Sequence, residues 1–210
     1  SELHVAGSSS LDGKDYLITG GLSAAAAMPG VAIEPPGTSA QLAANIPVAD
    51  RVRVVGAGAA SPSVGTSATS TDIVATRLAI QNSANVVLTS GSYSNYNFGN
   101  ASTGQFNVIY KQGSVTFKGT SRGAGVMFIT GNLHIEENFR FDGVIYVLGS
   151  VEIHGNAAIY GGVVAGPASA HFYLENTARI RYSSEAISLA TSGMPGKYVA
   201  FNGWQEIPRQ

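Results

Sequence analysis

From Gly113 onward the apolar positions recur with a six-residue period. A glycine opens each unit, and apolar residues stand two and four places after it. The chain reads GSVTFK, GTSRGA, GVMFIT, GNLHIE, ENFRFD, GVIYVL, GSVEIH, GNAAIY, GGVVAG, and only Glu137 replaces the opening glycine. The third and fifth positions are Val115/Phe117, Ser121/Gly123, Met127/Ile129, Leu133/Ile135, Phe139/Phe141, Ile145/Val147, Val151/Ile153, Ala157/Ile159 and Val163/Ala165. Two apolar residues spaced by two share one face of a strand. Glycine then turns the corner, because it tolerates positive φ. This repetition predicts an all-β fold: a β-solenoid (β-helix) in which three hexads close an 18-residue triangular coil. Gly113, Gly131 and Gly149 should then stack about 4.8 Å apart.

The fourth position of each hexad points outward and gives each face its character. The first face carries Thr116, His134 and Glu152, and the second Arg122, Arg140 and Ala158; both are polar. The third carries Tyr110, Phe128, Tyr146 and Val164, with Val108, Val126 and Val144 beside them. A face that is apolar inside and out calls for a cover. Ser70–Ala84 supplies one: Thr71 or Asp72 caps a helix whose stripe is Ile73, Val74, Leu78 and Ile80, with the stem of Arg77 at its edge. The aromatic ladder Tyr110–Phe128–Tyr146 is then packing beneath a helix; the other reading makes it a carbohydrate-stacking or partner surface.

The remainder is less regular, within one domain spanning 1–210. Residues 1–69 read as irregular outer coils and loops. They hold strand-like LHVAG and DYLITGG around an Asp12-Gly13 turn, a short helix at Ser39–Asn45 and a strand in RVRVVG. Residues 70–84 are the covering helix, 90–104 a polar, turn-rich connector and 105–166 the regular core. Residues 167–210 form a last coil and a cap: PASAHFYLENT interrupts the register, Ile180 and Tyr182 resume it pointing inward, and Phe201 and Trp204 plug one end.

Composition narrows the chemistry. Only 12% of residues are charged, Gly numbers 26, and the net charge of −1 gives no global field for nucleic acid or anionic membrane. With no cysteine, disulfides, thiolate metal sites and thiol nucleophiles are excluded. No apolar run is long enough to cross a membrane and no signal-peptide pattern opens the chain. The strand-like start at SELHVAG suggests a mature or trimmed ectodomain whose upstream part is missing.

Candidate sites are few. The four histidines show no zinc spacing, so neither metal nor cofactor is expected. His134 and Glu152 should be cross-strand neighbours sharing a hydrogen bond or weak ion pair, not an acid–base couple. Arg122 and Arg140 stack as like charges and form the candidate anion- or ligand-binding pair, with Glu137 and Asp142 near enough to neutralise them. Hexapeptide acyltransferases place glycine directly after an inward aliphatic residue, whereas here one residue intervenes, as in Ile153-His154-Gly155. Polysaccharide-cleaving β-helices need clustered acids, and the thirteen here are dispersed. No nucleophile elbow, P-loop or dinucleotide fingerprint is present. The expectation is a non-enzymatic protein.

The block GNLHIEENFRFDGVIYVLGSVEIHGNAAIYGGVVAG, followed by ARIRYSSEAI, resembles the C-terminal ectodomain of PilX-type pilus assembly proteins, which are bacterial and minor-pilin-like. GSSSLDGKDY, MPGVAI and the helix before the repeats match that layout in order, so the resemblance covers roughly residues 1–190. It implies an apolar pilin helix before Ser1 as the sole membrane attachment, and an extracellular place on the cell surface, at a pilus or its tip. It also implies other pilus subunits or cell-surface proteins as partners, and roles in adhesion, pilus priming or DNA uptake, with a glycan or DNA as ligand. It carries over no catalytic residue. Two alternatives stand beside it: a carbohydrate-active β-helix, and a self-assembling scaffold like the bactofilins, which also stack short G-x-V-x-apolar coils but rarely carry a covering helix.

Overall fold

The computed structural model describes residues 2–58, 60–68, 70–166, 171–192 and 194, and the backbone of 205–206. The chain opens with β1 (Glu2–Val5), β2 (Ser10–Asp12), β3 (Val31–Ile33), α1 (Ser39–Ala44), β4 (Val54–Val55), β5 (Val64–Thr66) and α2 (Ile73–Ser83). Next come β6 (Val86–Leu88), β7 (Ser92–Ser94), β8 (Asn107–Lys111), β9 (Val115–Lys118), β10 (Thr120–Ile129), β11 (Leu133–Ile135) and β12 (Asn138–Val147). The last elements are β13 (Val151–Ile153), β14 (Ala158–Ala165), β15 (His171–Leu174), β16 (Arg179–Tyr182), α3 (Ser184–Thr191) and β17 (Gln205–Glu206).

The fold is mostly β, and its strands pair in parallel. One sheet runs β1-β15-β13-β11-β9-β7; the other runs β4-β2-β16-β14-β12-β10-β8-β6, with β17, β3 and β5 continuing from the second half of β14. Through the regular segment the register advances by 18 residues: Val115 faces Leu133, which faces Val151, and Gly125 faces Gly143, which faces Gly161. Gly113, Gly131 and Gly149 are joined by backbone hydrogen bonds of 3.2 and 3.0 Å. The third and fifth hexad positions from Val115 to Ala165 are buried in one interior, to which all but Ser121 and Gly123 bring an apolar side chain. That gap is filled by Phe98, 1% exposed, whose ring centroid lies 4.9 Å from that of Phe117. Residues 90–104 are therefore more than a polar connector: they supply β7 and a core aromatic.

The corners differ from one another. At Gly125, Gly143 and Gly161 the strand bends without ending, so β10 and β12 each run ten residues through two of the expected faces. These glycines hold φ of 126°, 140° and 129°, a region closed to other residues. A Cβ on any of them would sit 1.9–2.0 Å from a carbonyl oxygen of the neighbouring strand.

Several expectations are corrected. Within PASAHFYLENT the residues His171–Leu174 still form a strand: β15 pairs with β13 and β16 with β14, but both pairings are displaced by 21 residues instead of 18, so the 18-residue step is interrupted while the stacking of strands continues. DYLITGG is not a strand, because residues beyond Asp12 leave the sheet and fold back through a bridge between Tyr16 and Leu22. In RVRVVG only Val54–Val55 is extended, after a 3-10 turn at Arg51–Arg53. Tyr182 does not point inward with Ile180 but packs on the aromatic outer face. Phe201 and Trp204 lie outside the described residues.

The aromatic face has two covering helices where one was expected. Asp72 caps α2 by accepting from the Ala75 amide at 2.9 Å, but its buried positions are Thr76 and Ile80, while Val74 and Leu78 point to solvent. α3 lies over the centre of the same face through Ile187 and Ala190. The first residues of the chain stack on its last strands: β1 on β15 and β2 on β16. The chain thus starts at one end of the ladder, crosses to the other by way of α2, and winds back.

Candidate functional site

A cleft of about 290 Å³ opens on the polar outer face formed by the first halves of β10, β12 and β14. Alternation along each strand sends every second side chain outward. Thr120 and Arg122 on β10, Asn138, Arg140 and Asp142 on β12, and Asn156 just before β14 therefore form its floor, and the Gly99–Asn100 loop is one wall. Arg122 faces Arg140, and Arg140 faces Ala158.

The two arginines have different fates. Arg140 donates from Nε and Nη2 to the Asp142 carboxylate at 3.0 and 2.7 Å, donates to the Ile18 carbonyl, and lies over the Tyr160 ring at 4.6 Å. Its hydrogen bonds to Asp142 raise its pKa further, against the opposing effect of burial. The Asp142 side chain is only 5% exposed, so Arg140 is its essential counter-charge. Arg122 is exposed, and its side chain has no hydrogen-bond or ionic partner among the described residues. Of the two acids expected to neutralise the pair, Asp142 binds Arg140 alone. Glu137 binds neither: it occupies a corner at φ 63° and forms no ion pair among the described residues.

Below the cleft the face is closed by residues 13–23. Arg181 lies 4.7 Å over the Tyr16 ring and donates to the Tyr160 hydroxyl at 3.0 Å. Tyr16 donates to Asp12 at 2.8 Å, and burial, followed by that hydrogen bond and charge, pushes its pKa up to about 12. Among the described residues the cleft therefore has one free cation, Arg122, a lining of amides and a closed lower end. Sequence reading found the arginines but missed Asn138 and Asn156, although these stand 18 residues apart in the same hexad position, with their amides 3.5 Å apart.

Tyr110, Phe128 and Tyr146 stack with centroid separations of 6.5 and 5.9 Å. They are 7%, 0% and 2% exposed beneath α2 and α3. Burial raises the pKa of the Tyr146 hydroxyl, and the charge of Glu34 adds to it. On the opposite sheet His134 and Glu152 face each other, with Nδ1 3.1 Å from Oε2.

Comparison with family models, curated proteins and solved structures finds no match to this chain.

Proposed function

We propose that the chain is a β-solenoid of triangular 18-residue coils. In this reading it serves as the non-enzymatic structural and adhesive ectodomain of a pilus-associated, minor-pilin-like protein at the cell surface. The supporting observation for the coil is the parallel register, which advances by 18 residues through the regular segment of both sheets and keeps the glycine corners in line. A rigid ladder of this kind holds a small outer cleft at constant geometry, which suits binding.

The ligand proposed for the cleft is an acidic glycan. Arg122 supplies one uncommitted cation for a carboxylate or sulfate, and Asn100, Asn138, Asn156 and Thr120 supply hydroxyl-matching donors and acceptors. Duplex DNA is less well served, because tight binding neutralises several phosphates at once. Hydrolysis of a glycan is poorly served too: it takes two carboxyl groups across the bond, and Asp142, the one acid in the described lining, is already bound by Arg140.

Titration of the chain with uronic-acid oligosaccharides, followed by NMR, tests the ligand. Arg122→Ala should weaken binding about tenfold or more and leave the fold intact. Equal binding by that variant removes the cleft from the proposal, and tighter, steeply salt-dependent binding of DNA replaces the glycan. Mass-spectrometric mapping of the native protein in sheared surface fractions tests the location. Recovery with pili, with an upstream apolar helix, supports the pilin-like reading; recovery from the cytoplasm overturns it.

A further inference from the structure

The outer face of the sheet opposite the cleft carries a second constellation. β11 presents His134 outward, and Glu136 follows directly after that strand; β13 presents Glu152 outward, and His154 follows directly after that strand. Parallel register makes these a two-by-two grid of alternating imidazole and carboxylate, and Glu175, just beyond β15, extends it. The side chains are 26–45% exposed, so they are reachable from solvent yet partly held.

The hydrogen bonds divide the ring nitrogens into two sets. His134 Nε2 lies 3.0 Å from Glu136 Oε1, and His154 Nδ1 lies 3.2 Å from Glu175 Oε2. The other nitrogen of each ring turns toward Glu152: His134 Nδ1 is 3.1 Å and His154 Nε2 is 4.0 Å from Glu152 Oε2. The ligand-bearing atoms of His134, Glu152 and His154 all lie within 4.8 Å of one another. Metal-bound histidines characteristically hand their second N–H to a carboxylate, which sets the tautomer and the ring orientation. Here both rings have that outer carboxylate in place.

We propose that His134 Nδ1, Glu152 Oε2 and His154 Nε2 form a surface site for a divalent transition-metal ion of the zinc class. Glu136 and Glu175 orient the two imidazoles. Two imidazoles and one carboxylate suit zinc and its neighbours better than calcium or magnesium, which prefer all-oxygen shells. Tetrahedral ligands at zinc distances stand about 3.3 Å apart, so small side-chain rotations close the triad around an ion and water completes its shell. Glu136, Glu152 and Glu175 bring three carboxylates to the patch, and Lys118, whose Nζ lies 3.5 Å from Glu136 Oε2, offsets only one of them, so carboxylates outnumber lysine and arginine cations where a dication would sit. The site lies on another face from the proposed glycan cleft and stands or falls independently of it.

Zinc titration by calorimetry on the whole chelator-stripped chain tests the site. One zinc per chain is expected, with affinity lowered at least tenfold by His134→Ala, His154→Ala or Glu152→Gln, and lowered also by Glu175→Gln through the ring it holds. His4→Ala should leave it unchanged. Circular dichroism of each variant checks that the fold persists. The proposal is overturned if stoichiometric zinc binding is absent, or if His154→Ala and Glu152→Gln bind zinc like the parent. Either result would leave the grid as a network of ion pairs.

Discussion

One backbone conformation recurs down a single corner of the stacked strands: Gly7, Gly119, Glu137, Gly155 and Asn176 all hold φ between 60° and 71°. Glycine takes this conformation freely and asparagine tolerates it, but a glutamate there costs about 1 kcal/mol. Glu137→Gly should therefore stabilise the protein by about 1 kcal/mol in urea unfolding; an unchanged midpoint would mean the strain is relieved elsewhere. Gly143 is the opposite case. At φ 140°, with a carbonyl oxygen 2.0 Å from its Cβ position, Gly143→Ala should cost more than about 3 kcal/mol and yield little soluble protein. The arginines separate in the same way. Arg140→Ala strands the buried Asp142 carboxylate and should cost about 2 kcal/mol, less than a fully buried pair because Arg140 itself is 44% exposed. Arg122→Ala should change thermal stability very little. The sequence placed both arginines on one face but could not show which was spoken for, because Ile18 and Tyr160 reach Arg140 only in the folded chain.

At the scale of elements, α2 and α3 show how far pattern reading goes. The cap and bounds of α2 were legible, but not its buried stripe. Val74 and Leu78 are more apolar than Thr76, yet the crossing over the aromatic face turns Thr76 and Ile80 inward. α3 lies in the segment that the pattern assigns to a last coil and cap, and Ser183 starts it by accepting from the Ala186 amide at 3.1 Å. Its docking depends on Asp15, which accepts from the Ser184 amide and hydroxyl, both at 2.7 Å, and from the Ser23 hydroxyl at 2.6 Å. Burial opposes the carboxylate, but these hydrogen bonds outweigh it and lower the Asp15 pKa. A group depressed on folding stabilises above its unfolded pKa, about 3.9, and that stability is lost as pH falls through the lower folded value. Urea unfolding should thus show stability falling below about pH 4. Asp15→Asn should lower stability at pH 7 and flatten that acid limb; an unchanged limb would assign the acid loss to other carboxylates.

For the whole molecule, the decisive arrangement is that β1 and β2 cover the strands that come last in the chain. Deleting residues 1–66 should uncover the edges of β15 and β16 together with Phe172 and Ile180, giving a species that associates through exposed strand edges. Light scattering on the eluting protein would register this as a mass above the monomer, and a stable monomer would show that the end needs no cover. The sequence by itself determined the hexad phase, the inward residues of the regular segment, the stacking of Gly113, Gly131 and Gly149, and the need to cover the aromatic face. These depend on alternation along a strand and on what glycine alone permits, which are local properties. Only the tertiary structure decided that Phe98 fills the gap at Ser121 and Gly123, that α3 shares the cover, that Arg140 is committed while Arg122 is free, and that His134 and His154 turn toward one glutamate. Each depends on packing between segments far apart in the chain, where shape and hydrogen-bonding partners override any local period.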